Sequence, residues 1–169
     1  SAQRLDNTLM ELIEVARTRK GASKLSAIPL RTFITVVFEA LEHLPRYSKV
    51  EWKLDIPDAL EVFSDRVLLQ SVLQSLIHNA IAYGNRQSPR VSVSVKEYDA
   101  SVEIRIQDNG EGIPESIRPR IFEMFYRGHL ESTGAGLGLF IVKNALDKMK
   151  GSIRFECPEN QGTVFYVTL

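Results

Sequence analysis

The sequence has few of the features that mark secreted, membrane-spanning or nucleic-acid-binding chains. It has one cysteine, Cys157, so no disulfide can form within the chain, which favours a reducing compartment. No apolar run approaches the roughly 20 residues of a membrane-spanning helix, and no signal peptide opens the chain. Basic and acidic residues both number 21, so no basic patch for nucleic acid or anionic lipid is indicated. We therefore expect a cytoplasmic segment with no nucleic-acid partner and no membrane contact.

The 169 residues are enough for one hydrophobic core with an appended helix, and 44% of them are hydrophobic. Apolar residues recur at helical spacing over 5–19, and Gly21 can end that helix. We therefore expect an N-terminal helical segment over 1–22 and a main domain over 23–169. The start at Ser1, without a methionine, suggests a fragment of a longer protein or a processed chain.

The main domain mixes helix and strand patterns. In order these are a helix over 30–44, strands near 50–54 and 60–62 with a turn at 56–58, a helix over 65–84, strands near 91–95 and 102–106, a helix over 138–150, and a hairpin that pairs 152–157 with 163–168. Ser64 or Asp65 can cap the second of these helices, and Gly84 can end it in the left-handed conformation. Gly151 can end the third helix. Cys157 falls in a strand pattern, and we expect a small buried residue. This order predicts an α/β fold, a mixed sheet covered by helices on one face.

A long glycine-rich segment, residues 108–138, joins a strand pattern to a helix pattern. Connections of this length are usually functional or disordered. Glycines at both ends let the backbone approach a ligand, and the second cluster ends at a helix start, where free N–H groups favour phosphate. The pattern indicates a nucleotide lid, and we expect residues 127–136 to be mobile without nucleotide. The alternative is a flexible surface loop.

One edge of the helix over 65–84 carries polar residues. Ser75, Asn79 and Tyr83 lie one turn apart beside its apolar stripe. The amide oxygen of Asn79 suits Mg²⁺, which prefers a few oxygen ligands together with substrate phosphates. The alternative is a structural asparagine that bonds to nearby backbone. His78 lies nearly opposite the stripe, so we expect it to be solvated and not a ligand.

Five short motifs follow one another in the order of a known family. They are SLIHNAIAY (75–83), DNGEGIP (108–114), FEMFYRG (122–128), GAGLGLFIV (134–142) and the pair Gly162–Thr163. Together they resemble the N box, first glycine box, F box, second glycine box and last glycine box of the catalytic domain of sensor histidine kinases. Its superfamily includes DNA gyrase, the mismatch-repair ATPases and the heat-shock ninety chaperones. The resemblance covers roughly 28–169 and implies a two-layer α/β sandwich (the Bergerat-type ATP-binding fold), with about five main strands and three helices on one face.

The resemblance implies ATP and Mg²⁺ as cofactors and assigns roles to individual residues. Asn79 would coordinate Mg²⁺, Asp108 would accept a hydrogen bond from the adenine amino group, and Thr163 would support the adenine end. The other residues implied to line the nucleotide are Tyr83, Gly110, Gly112, Ile113, Phe122, Arg127, Gly134, Gly136, Leu137, Gly138 and Leu139. Of these, Phe122 would also anchor the lid onto the core, together with Phe125.

Two positions depart from the family pattern. Ser75, a candidate catalytic residue beside Asn79, stands where the family usually has Asn or Glu, and Ala82 stands where it often has Lys. Serine is too weakly basic to activate water, which argues against the gyrase-like ATPases and for a kinase. The departures leave open a degenerate nucleotide-binding or partner-docking module without turnover. A serine kinase of the anti-sigma-factor type is a third alternative.

The resemblance implies the catalytic domain of a two-component kinase, which transfers the ATP γ-phosphoryl group to a histidine on a separate helical hairpin. Residues 1–22 resemble the end of that hairpin's second helix and its linker. The acceptor would lie upstream, because none of His43, His78 and His129 has its motif. For the whole protein we expect a homodimer whose histidine passes the phosphate to a response regulator receiver domain.

Overall fold

The computed structural model describes residues 24–126 and 136–169. The helical segment predicted over 1–22 lies outside these residues, and so do Arg127, Gly134 and most of the stretch that we expect to be mobile. The domain boundary near residue 22 therefore stays a prediction. No helix in the described ranges combines the length and the apolar character needed to cross a bilayer.

The described strands and helices follow the predicted order, with one strand added. They are β1 (Leu25–Pro29), α1 (Leu30–Glu39), β2 (Glu51–Asp55), β3 (Glu61–Asp65), α2 (Arg66–Tyr83), β4 (Arg90–Tyr98), β5 (Ser101–Asp108), α3 (Gly138–Met149), β6 (Ser152–Glu156) and β7 (Val164–Thr168). Two short 3₁₀ helices, Tyr47–Lys49 and Glu115–Arg120, complete the regular structure of these residues.

The main sheet has five strands in the order β2-β4-β5-β7-β6. β2 runs parallel to β4, and the other neighbours pair antiparallel. Alternate residues of the central strands, among them Val93 and Ile104, are buried in the core formed with α2 and α3. α1 packs at the sheet edge, where Phe38 stacks on Trp52 of β2 with ring centroids 4.0 Å apart. The predicted α/β fold is confirmed.

The sequence patterns do not predict the second sheet, in which β1 pairs antiparallel with β3. Ile28 faces Val62 and both are buried, whereas Leu25 and Phe63 are exposed. With one buried residue in five, β1 has too little alternation to be recognised as a strand. The predicted turn at 56–58 makes no hairpin, because the strands on either side of it lie in different sheets.

The ends of α2 and α3 can be compared with the start and stop residues predicted for these helices. Asp65 caps α2, since its carboxylate accepts two first-turn backbone amides at 3.0 Å each. Gly84 is not the predicted left-handed stop; it is extended, with φ −60° and ψ 169°. After α3 the left-handed conformation falls on Lys150, with φ 59°, rather than on Gly151.

The helix predicted over 30–44 is shorter than expected, because α1 ends at Glu39 and the chain turns before Pro45. Proline disfavours a helix at the residue that precedes it. Arg46 then takes the left-handed conformation, with φ 76°, and sends its guanidinium to the C-terminus of α2. It donates to the backbone carbonyls of Ala82, Gly84 and Asn85 at 3.0, 2.6 and 2.6 Å. A side chain from outside α2 therefore caps its C-terminus.

Candidate functional site

Asp108 ends β5 with its carboxylate held on one side only. It is buried, with 7% of its surface exposed, and its Oδ1 accepts the backbone amides of Gly110 at 2.8 Å and Thr163 at 3.2 Å. Among the described residues no hydrogen bond reaches the other carboxylate oxygen, Oδ2. Burial raises the pKa of Asp108, and the two amide bonds oppose that rise. The carboxylate is thus fixed in place through Oδ1, and with respect to the described residues Oδ2 can still accept a hydrogen bond.

Two glycines allow the segments around Asp108 to approach this closely. A Cβ on Gly162, which has φ 76°, would lie 2.6 Å from Asp108 Oδ1 and 2.7 Å from the Gly110 nitrogen. A Cβ on Gly110 would collide with the carbonyl oxygen of Tyr83, the last residue of α2. Both positions therefore require glycine because a side chain there would collide with the protein's own backbone. They join the end of α2, the first glycine motif and the final hairpin into one surface, which we call the Asp108 wall.

The predicted polar edge of α2 lies outside the core. Ser75 and Asn79 are half-buried and Tyr83 is 50% exposed, whereas the apolar stripe beside them is buried. Because Gly110 packs against the Tyr83 carbonyl, this edge adjoins the Asp108 wall. The candidate metal ligand, Asn79, therefore lies on α2 one turn before the residue whose carbonyl contacts the first glycine motif.

His78 is not solvated as predicted. It is half-buried, and burial lowers its pKa, while a hydrogen bond with the Asn79 side chain opposes that change and the charge of His43 adds to it. The helical position of His78 relative to the apolar stripe could not reveal this, because the covering comes from other elements. Its hydrogen bond can orient the Asn79 amide.

The second glycine cluster leads into α3. Gly136 takes the left-handed conformation, with φ 76°, and α3 begins at Gly138, where the N-cap residue Leu137 makes no side-chain capping bond. A Cβ on Gly138 would meet none of the described residues within 4 Å. Leu137 is fully buried and Leu139 packs half-buried against the core, so both anchor the helix start. The first-turn amides of α3 therefore form a site suited to an anion.

The two phenylalanines predicted to anchor the lid behave differently. Phe122 is half-buried and meets Phe155 edge-on, with ring centroids 6.2 Å apart. Phe125 is 56% exposed and has φ 60°, so the prediction that it anchors the lid to the core is wrong. The left-handed backbone at Phe125 is rare for a large side chain, and here it accompanies a ring that faces outward.

Two residues of the Asp108 wall have no role in the sequence analysis. Asn109 accepts the backbone amides of Asn85 at 3.2 Å and Arg90 at 2.8 Å through Oδ1, and its Nδ2 donates to the Ser88 carbonyl at 2.9 Å. An asparagine at a strand end is a signal for such backbone bonding. Cys157, expected as a buried strand residue, is half-buried and bonds to two segments of the wall. No local sequence pattern indicates the hydrogen bonds of Cys157.

The family model described as "Histidine kinase-, DNA gyrase B-, and HSP90-like ATPase" matches residues 64–169. This range contains α2, the Asp108 wall and the start of α3. The chain belongs to this ATPase family. The family description identifies ATP as the nucleotide of this domain.

Relatives of this ATPase domain are named as sensor kinases. The chain is 35% identical over 175 residues to "Sensor-like histidine kinase SenX3" of Mycobacterium tuberculosis (strain ATCC 25618 / H37Rv), covering 99% of this chain and 42% of the relative. Among solved structures, the mycobacterial sensor histidine kinase MprB has a TM-score of 0.75 at 27% identity, over 86% of this chain and 97% of that one. The predicted resemblance to sensor histidine kinases is confirmed. The chain spans less than half the length of SenX3.

A third comparison concerns the fold alone. Histidine kinase ThkA, solved in complex with response regulator protein TrrA, has a TM-score of 0.77 at 23% identity. The match covers 99% of this chain and 47% of that one. The same architecture therefore occurs in a histidine kinase whose structure was solved in complex with a response regulator protein.

Proposed function

We propose that this domain binds Mg-ATP and transfers the γ-phosphoryl group to a histidine on a separate helical hairpin, within a two-component sensor histidine kinase. The observation that carries the proposal is the buried Asp108 carboxylate, which is held through Oδ1 while Oδ2 accepts no hydrogen bond from the described residues. The relatives named as sensor histidine kinases support a kinase over the other activities of the family.

Asp108 recognises adenine in this proposal. Its free Oδ2 accepts a hydrogen bond from the exocyclic amino group, where guanine has a carbonyl oxygen instead. Two acceptors facing each other repel, so the site prefers ATP to GTP. Thr163, buried beside the carboxylate, supports the same end of the base. In this arrangement the base lies along the first glycine motif, at Gly110, Gly112 and Ile113. Phe122 lies on the other side of that motif.

The phosphates are proposed to lie at the N-terminus of α3. Its first-turn amides and the helix dipole both favour negative charge, and none of the described residues would lie within 4 Å of a Cβ on Gly138. Mg²⁺ fits the half-buried Asn79, whose amide oxygen is a hard donor that leaves further positions to phosphate and water oxygens. Tyr83, Arg127 and Gly134 stay predicted phosphate-side residues.

The chemistry proposed is transfer rather than hydrolysis. Ser75 lies one turn before Asn79, where it cannot serve as the base that activates water. Transfer to a histidine needs no such base from this domain, because the attacking nitrogen belongs to the acceptor. The domain contributes positioning and charge neutralisation, and bound Mg²⁺ would add to the neutralisation.

The partners follow from the same proposal. The acceptor hairpin of the whole protein would dimerise and present its histidine to the cytoplasmic ATP site. A response regulator receiver domain would then take the phosphate. The complex of the similarly folded ThkA with the regulator TrrA supports this second partner.

The experiment mixes the chain with labelled ATP, Mg²⁺ and the acceptor hairpin that the proposal places upstream. We expect slow labelling of the hairpin, because the parts lose the high effective concentration of a covalent connection. The chain alone should stay unlabelled. A hairpin with glutamine in place of its histidine, and the Asp108→Asn variant of the domain, serve as controls that should both abolish or reduce the label.

Three outcomes would contradict the proposal in different ways. Stable label on His43, His78 or His129 would move the acceptor into this domain. An acid-stable product would indicate a hydroxyl acceptor, as in the serine-kinase alternative. Binding of ATP without labelling of any hairpin would favour the degenerate module that Ser75 and Ala82 leave open.

A further inference from the structure

The thiol of Cys157 joins separate segments of the Asp108 wall. Its Sγ accepts the backbone amide of Ile113 at 3.3 Å and donates to the Thr163 hydroxyl oxygen at 3.9 Å. A Cβ on Gly112 would lie 3.5 Å from the Cys157 Cβ and 3.7 Å from Sγ. The first glycine loop therefore rests directly on this cysteine. A thiol is both a weak donor and a weak acceptor, and here it acts as both.

We propose that Cys157 is a positioning residue for adenine recognition, an inference that rests on the proposed ATP site. Its two hydrogen bonds hold the first glycine loop against the final hairpin and orient the Thr163 hydroxyl. Cys157 acts through Ile113 and Thr163 and not through contact with the nucleotide.

The contact with Cys157 restricts how Thr163 can meet a ligand. The Sγ and the hydroxyl oxygen lie 3.9 Å apart, so the thiol occupies one side of the hydroxyl and leaves its other side to a further hydrogen-bond partner. The Thr163 backbone amide bonds to Asp108 Oδ1, so the hydroxyl and the free Oδ2 belong to one connected unit. That unit presents a donor beside an acceptor.

This pair of groups matches adenine and mismatches guanine. Adenine has the acceptor N1 next to its donor amino group, whereas guanine has a donor N1–H next to a carbonyl oxygen. The Asp108 carboxylate selects at one position of the base and the Thr163 hydroxyl, directly or through water, at the next. The orientation imposed by Cys157 thus contributes to nucleotide specificity.

The test measures the affinities of ADP and GDP by calorimetry for the unsubstituted domain, Cys157→Ala and Cys157→Ser. Alanine leaves the Ile113 amide without its partner and lets the Thr163 hydroxyl rotate. We expect ADP binding to weaken about fivefold, the loss of one weak hydrogen bond, with less change for GDP. Serine keeps a donor and an acceptor at this position and should restore most of the preference for ADP.

Two further variants separate positioning from general destabilisation. Ser152→Ala removes one polar atom from an exposed residue of β6, the strand that ends just before Cys157, and should change neither affinity. Thr163→Val removes the hydroxyl through which the thiol acts. In that background Cys157→Ala should change the preference for ADP over GDP less than it does in the unsubstituted domain, because only the bond to Ile113 remains to be lost. The four proteins form a double-mutant cycle between two bonded residues.

An unchanged ADP preference in Cys157→Ala, with or without lower resistance to denaturant, would overturn the inference. An undiminished effect of Cys157→Ala in the Thr163→Val background would overturn it as well. Failure of the unsubstituted domain to bind ADP would be a different result, because it would overturn the proposed function and the inference together.

Discussion

Substituting Asp108 by asparagine should separate nucleotide affinity from stability. In the structure Oδ1 accepts two backbone amides, so asparagine must keep its oxygen there and place its NH₂ where Oδ2 stands. The shape of the side chain is preserved. The group that faces adenine, however, changes from an acceptor into a donor, and it meets the donor amino group of the base.

The loss can be estimated from the bond that disappears. A hydrogen bond to a charged group contributes about 1.5–3 kcal/mol, so ATP or ADP should bind roughly ten- to a hundredfold more weakly. At a ligand concentration about 100 times the dissociation constant of the unsubstituted domain, stabilisation by ligand is about 2.7 kcal/mol. For a variant that binds a hundredfold more weakly it falls to about 0.4 kcal/mol.

The same substitution should not destabilise the free domain at neutral pH. Burial raises the pKa of Asp108, so the folded protein binds this proton more tightly than the unfolded chain does. Stability therefore falls as pH rises from the unfolded pKa through the folded one, and the loss persists above that window. Asparagine does not ionise, so Asp108→Asn should lack this part of the pH dependence.

Calorimetry of ATP binding and chemical denaturation, both across pH, provide the assay. Affinity of the unsubstituted domain should fall as pH drops through the raised pKa of Asp108, and the variant should show no such fall. Asp147→Asn, which changes an exposed carboxylate paired with Lys143 on α3, is the matched control and should leave affinity unchanged. Equal ATP affinity for Asp108→Asn and the unsubstituted domain would refute the adenine role of Asp108.

Three more substitutions test other parts of the site. Asn79→Ala should reduce the Mg²⁺-dependent part of ATP affinity more than adenine recognition, and calorimetry that finds the same Mg²⁺ dependence in both proteins would leave Asn79 a structural residue. Arg46→Met should lower the free energy of unfolding by about 2–3 kcal/mol in denaturant titrations, because three carbonyls at the end of α2 lose a charged donor; a change below about 0.5 kcal/mol, ordinary for a surface residue, would contradict this. Gly162→Ala should cost more than about 1 kcal/mol of stability and weaken ATP binding, since its φ of 76° and its contact with Asp108 exclude a Cβ. Gly138→Ala is the matched comparison and should fold with unchanged stability, because that glycine faces open space among the described residues.

Local patterns predicted the elements that hold the candidate site. The apolar spacing of α2 and the alternation of β4 and β5 are set by residues a few positions apart, so they can be read directly from the chain. Asp108 could be placed at a strand end for the same reason. The order of the motifs predicted the family, which the comparison confirmed.

Expectations about exposure were less reliable where other elements cover a face. The helical position of His78 indicated solvent, yet neighbouring elements half-bury it. Phe125 was expected to pack, yet its left-handed backbone accompanies a ring that faces outward. Burial depends on what lies opposite a residue, and a helical or strand period does not contain that information.

By itself, then, the sequence determined the periodic elements, the strand-end carboxylate and the glycine motifs, because each arises from neighbours along the chain. Only the tertiary structure decided the pairing of β1 with β3, the capping of α2 by Arg46 and the hydrogen bond of Ile113 to Cys157. The first two join residues more than thirty positions apart, and the Ile113–Cys157 bond spans 44. Such contacts form only when the whole core has brought distant segments together, so no local pattern encodes them.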